Sequence, residues 1–521
     1  MTSRSDIVLA KGGELADRRR RLNLWPVLLF LFVWSILYLP HLRTNPPWYG
    51  DETVALAAGL DLTRGIAAHR AVLNTFWHPY APYQPGYELL IGSMARLFNG
   101  DILGGRIVNA LLALCIALVI YFYGRCGLGV FPSLFAALLF LSYEQSVIHF
   151  RWIFTHNLIA LGFAITFLAL SRPAGRRNDV VAGLGLALSA AALPLFVYGC
   201  VPAALIRLKR PASWLWLFGP ALIVVGSSLL LGWLMTQPNQ VLWSDLTATF
   251  RFYTHSSRES SASVAQIVLN ILRFFTQDIW HAIGALMLVL CLCRRFYAIG
   301  LSGLVIAFLL VQNRQNLTIF YYQAVVFLPL MMLAYGAVLH RLFLFLRRRG
   351  VQLTIVRASQ VTLLFVPLAA ALSLAPHALA GNLKPRIHYW TTQSSDEVEQ
   401  AARWLNERTS REDLVICHAN ISWLLHARTA DFQQATTWAG LPTWPFDSPL
   451  PRAQFRYQAD LDSAKFAVVG DIDKRWTFLQ PNVEKIVEKM VAEKWPVVWF
   501  GLNYLILANP ALPGANSVPH P

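Results

Sequence analysis

Long apolar segments constrain this chain more than any other feature of its sequence. Apolar runs recur between Leu24 and Pro376, each of roughly 17 to 25 residues, the length of a helix that crosses a bilayer. Charged residues make up only 14% of the chain, whereas a soluble domain carries roughly a quarter. The sequence therefore predicts an α-helical polytopic membrane protein with about 11 transmembrane helices.

The positive charge of the chain indicates its orientation in the membrane. The net charge is +16, and much of it lies in short arginine and lysine clusters between apolar runs. Such clusters mark the cytoplasmic ends of spans, so we do not expect nucleic acid as a partner. They predict a cytoplasmic segment over 1–23, a transmembrane domain over 24–376 with outer loops 41–104 and 236–278, and an extracytoplasmic domain over 377–521.

The first outer loop contains two further helical patterns. Residues 53–68 alternate apolar and polar faces, and residues 86–98 look like a second helix of the same kind. Amphipathic helices of this type lie flat in the membrane interface. We therefore expect both segments to roof a cavity above the spans.

The last part of the chain has the composition of a soluble domain. Ser394 followed by Glu397 predicts a capping box at the start of a helix. A later amphipathic helix and three short strands are predicted from periodicity: Val483–Lys494, Leu414–Cys417, Phe466–Val469 and Val497–Phe500. No glycine-rich phosphate loop, Gly-x-Ser-x-Gly or metal-ligand spacing occurs there. The sequence predicts a small α/β domain with a structural or acceptor-docking role.

Two adjacent carboxylates, Asp51 and Glu52, follow the first apolar run and the turn Pro46–Gly50. One interpretation is structural, with Asp51 as the N-cap of a helix and Glu52 in its first turn, where negative charge is favoured. The other is catalytic, since a carboxylate at the start of an outer loop is well placed as a general base. Capping and catalysis are compatible.

Further motifs surround this pair in a fixed order. After Trp48–Glu52 come His78–Gly86, Leu97–Gly100, Arg106 and Tyr121–Gly129. In this order they resemble the GT-C membrane glycosyltransferases over residues 25–340, and most closely the protein O-mannosyltransferase and aminoarabinose-transferase branch. The resemblance implies a bacterial inner-membrane enzyme that moves a sugar from a polyprenyl-phosphate donor to a protein, lipid or glycan acceptor outside the cytoplasm.

The resemblance also implies roles for individual residues. By position, Asp51 is the catalytic carboxylate, with Glu52 beside it, and one carboxylate suffices for an inverting displacement, whereas retention needs a second about 5 Å away. The leaving phosphate needs charge compensation, for which cations at the outer ends of spans are suited. Substrate-binding candidates are Arg106, Arg151, Arg314, His156 and Tyr321.

The chain departs from the family pattern after the third apolar run. Members carry an aspartate a few residues after an arginine, but here His156 and Asn157 follow Arg151. Either Glu144 or Glu88 supplies the second acid, or the chain treats its donor differently. Glu144 with His149, or His156, would suit a divalent cation beside Asp51. Histidines at an interface are more often structural, so no metal or other cofactor is predicted as a requirement.

Two other functions fit a polytopic membrane protein of this length. A transporter or flippase would show two repeated halves and charged or broken helices at mid-membrane. The sequence shows neither a repeat nor a mid-span acid. A catalytically silent GT-C-like protein that organises an envelope assembly is the third hypothesis, because the second aspartate of the family is missing.

Overall fold

A computed structural model defines most of the chain. It describes residues 24–64, 85–192, 194–236, 278–292, 296–312, 324–384, 392–443 and 457–512, with a few single positions between them. In these ranges, helices make up the first part of the chain and a mixed sheet flanked by helices makes up the last part.

Helices follow one another along the predicted transmembrane domain, and most of them are apolar. In chain order they are α1 (Trp25–Tyr38), α4 (Ile102–Leu128), α5 (Val130–Ser142), α7 (Thr155–Leu170), α8 (Arg176–Ala190), α9 (Val197–Ile206), α10 (Ala212–Thr236), α11 (Ile279–Cys291), α12 (Tyr297–Gln312), α13 (Leu328–Arg348) and α14 (Leu353–Leu379). Among the described residues, three helical stretches are long and apolar enough to cross a membrane, by length and composition: Ile102–Leu128, Val325–Arg348 and Leu353–Leu379. The helical membrane architecture is confirmed at this level, and the number of spans stays a prediction.

Two helices of the first outer loop, α2 (Gly50–Arg64) and α3 (Pro85–Leu97), pack tightly against each other. Gly59 and Gly92 meet at their crossing, where a Cβ on either residue would overlap the backbone of the other helix. The side chains of α2 from Leu56 to Leu60 are buried. Contacts with α3 and with the C-terminal domain therefore cover α2, while its predicted position flat in the membrane interface stays a prediction.

The C-terminal residues form a five-stranded sheet in the order β4-β3-β5-β7-β6. Its strands are β3 (Leu414–Ile416), β4 (Arg428–Ala430), β5 (Ala464–Gly470), β6 (Val497–Phe500) and β7 (Tyr504–Ala508). The first three are parallel, and β7 is antiparallel to both β5 and β6. The helix α15 (Ser395–Asn406) packs on one face of the sheet, and α17 (Phe432–Trp438) and α19 (Val483–Ala492) pack on the other.

The start of α15 agrees with the sequence, but the predicted capping box is wrong. Ser394 is the N-cap residue, yet its side chain makes no capping hydrogen bond. The carboxylate of Glu397 instead accepts hydrogen bonds from the backbone N–H groups of Asn503, at 2.6 Å, and Tyr504, at 3.2 Å. Glu397 thus ties α15 to the turn between β6 and β7, a long-range contact that local sequence patterns do not encode.

Candidate active site at the first outer loop

Side-chain donors hold the loop that joins α1 to α2. Residues 39–47 form turns and bends, followed by the two-residue strand β1 (Trp48–Tyr49). Buried backbone carbonyls need hydrogen-bond partners, and a strand or helix would supply them. Here two arginines and a tryptophan supply many of them instead.

Arg151 binds the end of α1 and the loop that follows. It comes just after the short helix α6 (Glu144–His149), and its side chain is fully buried. Its Nη1 donates to the Leu37 carbonyl at 2.7 Å, and its Nε and Nη2 donate to the Asn45 carbonyl at 3.1 and 2.8 Å. Nη2 also donates to the Pro40 carbonyl. Carbonyls at a helix C-terminus carry partial negative charge, which compensates part of the charge of this buried guanidinium.

Arg106, in the first turns of α4, binds the same loop and also Glu52. Its Nε and Nη2 donate to the two carboxylate oxygens of Glu52 at 3.0 and 2.7 Å. Its Nη1 donates to the carbonyls of Leu42 and Pro46 at 2.9 and 3.0 Å. Both side chains of the ion pair are 0% exposed, and the backbone N–H of Ile153 donates to Glu52 at 2.9 Å. The planar guanidinium satisfies a carboxylate and two carbonyls at once, which a lysine cannot do.

Asp51 is the second residue of α2, immediately before Glu52. The start of a helix favours a carboxylate, and the backbone of Asp51 lies there, although its side chain is outside the described part of the structure. Tyr49 packs against the rings of Trp152 and Phe154. Trp152 Nε1 also donates to the Pro47 carbonyl at 2.8 Å. Buried contacts therefore fix the backbone on both sides of Asp51.

The structure gathers three of the predicted site residues, Glu52, Arg106 and Arg151, around one loop. Their surroundings differ from those expected of phosphate ligands, because both guanidinium groups are fully buried and bound to protein oxygens. Within the described residues, the donors of both guanidinium groups are directed at these protein oxygens. Two other predicted substrate-binding residues, Arg314 and Tyr321, lie outside the described residues.

The predicted histidines lie around Phe154. His149 ends α6 and His156 belongs to the first turn of α7, and both rings contact Phe154. Nδ1 of His149 lies 2.7 Å from the Gln145 carbonyl, and Glu144 begins α6. Across the described ranges, no three His, Cys, Asp or Glu side chains are grouped so that they could hold a metal ion. The geometry therefore adds no support to a metal on Glu144 and His149.

A buried amide network behind the loop was not predicted. Asn157 Nδ2 donates to the Asn109 side chain at 2.8 Å and to the carbonyls of His149 and Trp152 at 3.0 and 3.2 Å. The Tyr87 hydroxyl donates to Asn109 Oδ1 at 2.9 Å. An asparagine within an apolar run, as Asn109 is in α4, was the available signal, because a buried amide requires partners.

A second cluster, at the start of α11, was also not predicted. Asp278 caps this helix by accepting a hydrogen bond from the Trp280 N–H at 2.9 Å. Its other oxygen accepts a hydrogen bond from the Tyr143 hydroxyl at 2.8 Å, and His281 Nε2 lies 3.1 Å from the same hydroxyl. An aspartate directly before an apolar run is an N-cap signature that could have identified Asp278. The cluster ties the end of the second outer loop to the end of α5.

Comparisons with known proteins identify the fold. No protein-family sequence model matches the chain, and no curated protein sequence matches it significantly. Among solved structures, ArnT from Cupriavidus metallidurans bound to undecaprenyl phosphate matches with a TM-score of 0.59 at 12% identity, over 94% of this chain and 98% of that one. The same enzyme in the apo state gives 0.56 at 11% identity over the same shares.

An oligosaccharyltransferase is also similar. The Archaeoglobus fulgidus enzyme tethered to an acceptor peptide matches with a TM-score of 0.50 at 14% identity, over 94% of this chain and 74% of that one. ArnT and this oligosaccharyltransferase are both GT-C membrane glycosyltransferases. The chain therefore has the GT-C fold, and the match to ArnT covers 94% of its length.

Proposed function

We propose that this protein is a membrane glycosyltransferase that moves a sugar from a polyprenyl-phosphate donor to an acceptor outside the cytoplasm. The observation that carries the proposal is the construction of the first outer loop, in which buried contacts fix the helix start at Asp51 and Glu52. The similarity of the fold to ArnT bound to undecaprenyl phosphate supports a lipid-linked donor. The acceptor is a protein, a lipid or a glycan.

The proposed reaction is one inverting displacement. The acceptor oxygen or nitrogen attacks the anomeric carbon and forms the new glycosidic bond. The bond between the anomeric carbon and the phosphate oxygen breaks, and its electron pair leaves with the polyprenyl phosphate. The proton of the acceptor moves to the carboxylate of Asp51, which acts as the general base. The step requires no covalent enzyme intermediate and no further reactant.

Glu52, Arg106 and Arg151 are positioning residues in this proposal. Glu52 is fully buried and bound by Arg106 and the Ile153 N–H, so it does not contact a substrate in this conformation. Arg106 and Arg151 bind carbonyls of the loop before Asp51. A reacting group displaced by about 1 Å can cost about 100-fold in rate. By fixing this loop, the three residues therefore contribute to the transfer rate.

The donor phosphate is assigned to other residues of the outer face. Arg314 remains the proposed cation, with Tyr321 near it in the sequence, and His156 remains a candidate for contact with the sugar. A leaving phosphate is stabilised by fixed positive charge. An arginine at the outer end of a span supplies that charge where the donor headgroup would lie.

The test uses the full-length protein in nanodiscs with labelled undecaprenyl-phosphate mannose, galactose and aminoarabinose, and a bacterial membrane extract as the source of acceptor. We expect one donor to yield a labelled product and free undecaprenyl phosphate. If all donors stay intact, the proposal fails. A second arm in liposomes measures which leaflet exposes the donor, because a flippase would move the donor without cleaving it.

A further inference from the structure

The C-terminal domain presents the carboxyl ends of its parallel strands to α2. In parallel α/β sheets this edge is where functional groups collect. The short helix α16 (Ala419–Ser422) follows β3 at this edge and packs against α2. The strand β2 (Thr392–Gln393) pairs antiparallel with β1, directly before α2. The domain therefore reaches the part of the outer loop that carries Asp51.

One hydrogen bond joins this edge to the first turn of α2. Thr53 Oγ1 lies 2.7 Å from the Gly50 carbonyl oxygen and 3.1 Å from Asn420 Oδ1, and its single proton is shared between these two acceptors. The side chain of Asn420 is 1% exposed.

Other contacts hold the domain in this place. The rings of Trp48 and Trp423 lie 5.5 Å apart, centroid to centroid. The Asn45 side chain bonds the Leu383 backbone in both directions, at 3.1 and 3.2 Å. Arg43 forms an ion pair with Glu399 of α15. The contact between Asn420 and Thr53 is therefore part of an extended interface between the C-terminal domain and the first outer loop.

We propose that Asn420 is a positioning residue for the reaction, acting through Thr53 on the helix turn that carries Asp51. This inference rests on the proposed function. Successive helical side chains point about 100° apart. Arg106, in the membrane domain, binds Glu52, and Asn420, in the C-terminal domain, binds Thr53. Asp51 lies in the same turn, so these two contacts from two domains hold the backbone of the turn that carries it.

The experiment is a double-mutant cycle on kcat and on the KM for the donor. We expect Asn420→Ala and Thr53→Val each to lower kcat by about 10- to 100-fold, with the KM for the donor unchanged. The double variant should be no slower than either single variant, because both remove the same contact. Thr53→Ser keeps the hydroxyl and should retain the wild-type kcat.

The matched control is Asn406→Ala. Asn406 also makes two hydrogen bonds, to the Leu424 carbonyl and from the His426 N–H, but both lie within the C-terminal domain. It should keep the wild-type kcat, and thermal unfolding of each variant shows that the protein is folded. An equal loss in Asn406→Ala, or independent losses that multiply in the double variant, overturns the positioning role.

The two proposals fail in different ways. If wild type transfers sugar and Asp51→Asn does not, while Asn420→Ala matches Asn406→Ala, only the role of Asn420 is overturned. If Asp51→Asn keeps the wild-type rate, or if wild type transfers no sugar, the proposed function falls and the role of Asn420 falls with it.

Discussion

Glu52 and Arg106, 54 positions apart in the sequence, form an ion pair through two hydrogen bonds with neither side chain exposed. The pair joins the first turn of α2 to the first turns of α4. Arg106 also binds two carbonyls of the loop before α2. One guanidinium thus fixes both the helix that carries Asp51 and the chain that leads into it.

Breaking this ion pair should destabilise the protein strongly. Arg106→Met leaves the buried carboxylate of Glu52 and two carbonyls without their donor, and loss of one partner of a buried pair costs about 3 to 5 kcal/mol. We expect a lower midpoint of thermal unfolding in detergent. Adding Glu52→Leu should restore only part of the loss, because the carbonyls of Leu42 and Pro46 still lack a donor. An Arg106→Met variant as stable as wild type would contradict this.

Arg151 should not tolerate replacement by lysine. Its guanidinium binds the carbonyls of Leu37, Pro40 and Asn45, and a lysine ammonium cannot reach three fixed acceptors in one plane. We expect Arg151→Lys to lower both the unfolding midpoint and the transfer rate. Arg348→Lys, on the exposed end of α13, is the matched control and should change neither. Equal behaviour of the two variants would remove the positioning role of Arg151.

The crossing of α2 and α3 should be sensitive to a single methyl group. A Cβ at Gly59 would lie 2.8 Å from the Gly92 backbone nitrogen, which is too close, so the helices must separate. We expect Gly59→Ala to cost about 1 to 3 kcal/mol of unfolding free energy and to slow transfer by moving α2. Gly219→Ala is the control, since nothing lies within 4 Å of its added Cβ. A neutral Gly59→Ala would show that the two helices are not this close.

Asp473 should make the stability of the C-terminal domain depend on pH. Burial raises its pKa to about 7, although the N–H donated by Gly470 offsets part of the effect. The unfolded chain loses this proton near pH 4 and the folded protein only near pH 7, so stability falls as pH rises between these values, by about 1.4 kcal/mol per pH unit. Asp473→Asn should reduce the slope of the unfolding midpoint against pH between pH 4 and 7, whereas Asp471→Asn should keep the wild-type slope. An unchanged slope in Asp473→Asn would contradict this.

The sequence predicted the parts of the fold that periodic patterns encode. The strand Val497–Phe500 has the predicted bounds, and helices occupy the apolar part of the chain, because the hydrophobic pattern determines both. The burial of α2 was not predictable, since it depends on α3 and on a domain more than 300 residues later in the chain. The strand pairing of Trp48 with Gln393 is likewise a contact between residues far apart in the sequence, which local patterns do not predict.

The tasks of the arginines in the candidate site could not be read from the sequence. Arg106 and Arg151 were predicted as phosphate-binding cations at the outer ends of spans, and the structure places both side chains in buried positions. Their partners are mostly backbone carbonyls of an irregular loop, which carry no sequence signature. An arginine that binds a phosphate and one that binds carbonyls look alike in the sequence, so only the geometry separates these tasks.

The most direct test of the account is the transfer rate of Asp51→Asn with a labelled undecaprenyl-phosphate sugar that wild type accepts. The substitution removes the base but keeps a polar side chain of the same size in the first turn of α2, so we predict an unchanged unfolding midpoint, unchanged binding of undecaprenyl phosphate and a rate lowered by at least about 100-fold. A variant that is folded and transfers sugar at the wild-type rate would contradict the central claim, that the loop held by Glu52 and Arg106 presents a catalytic carboxylate at position 51.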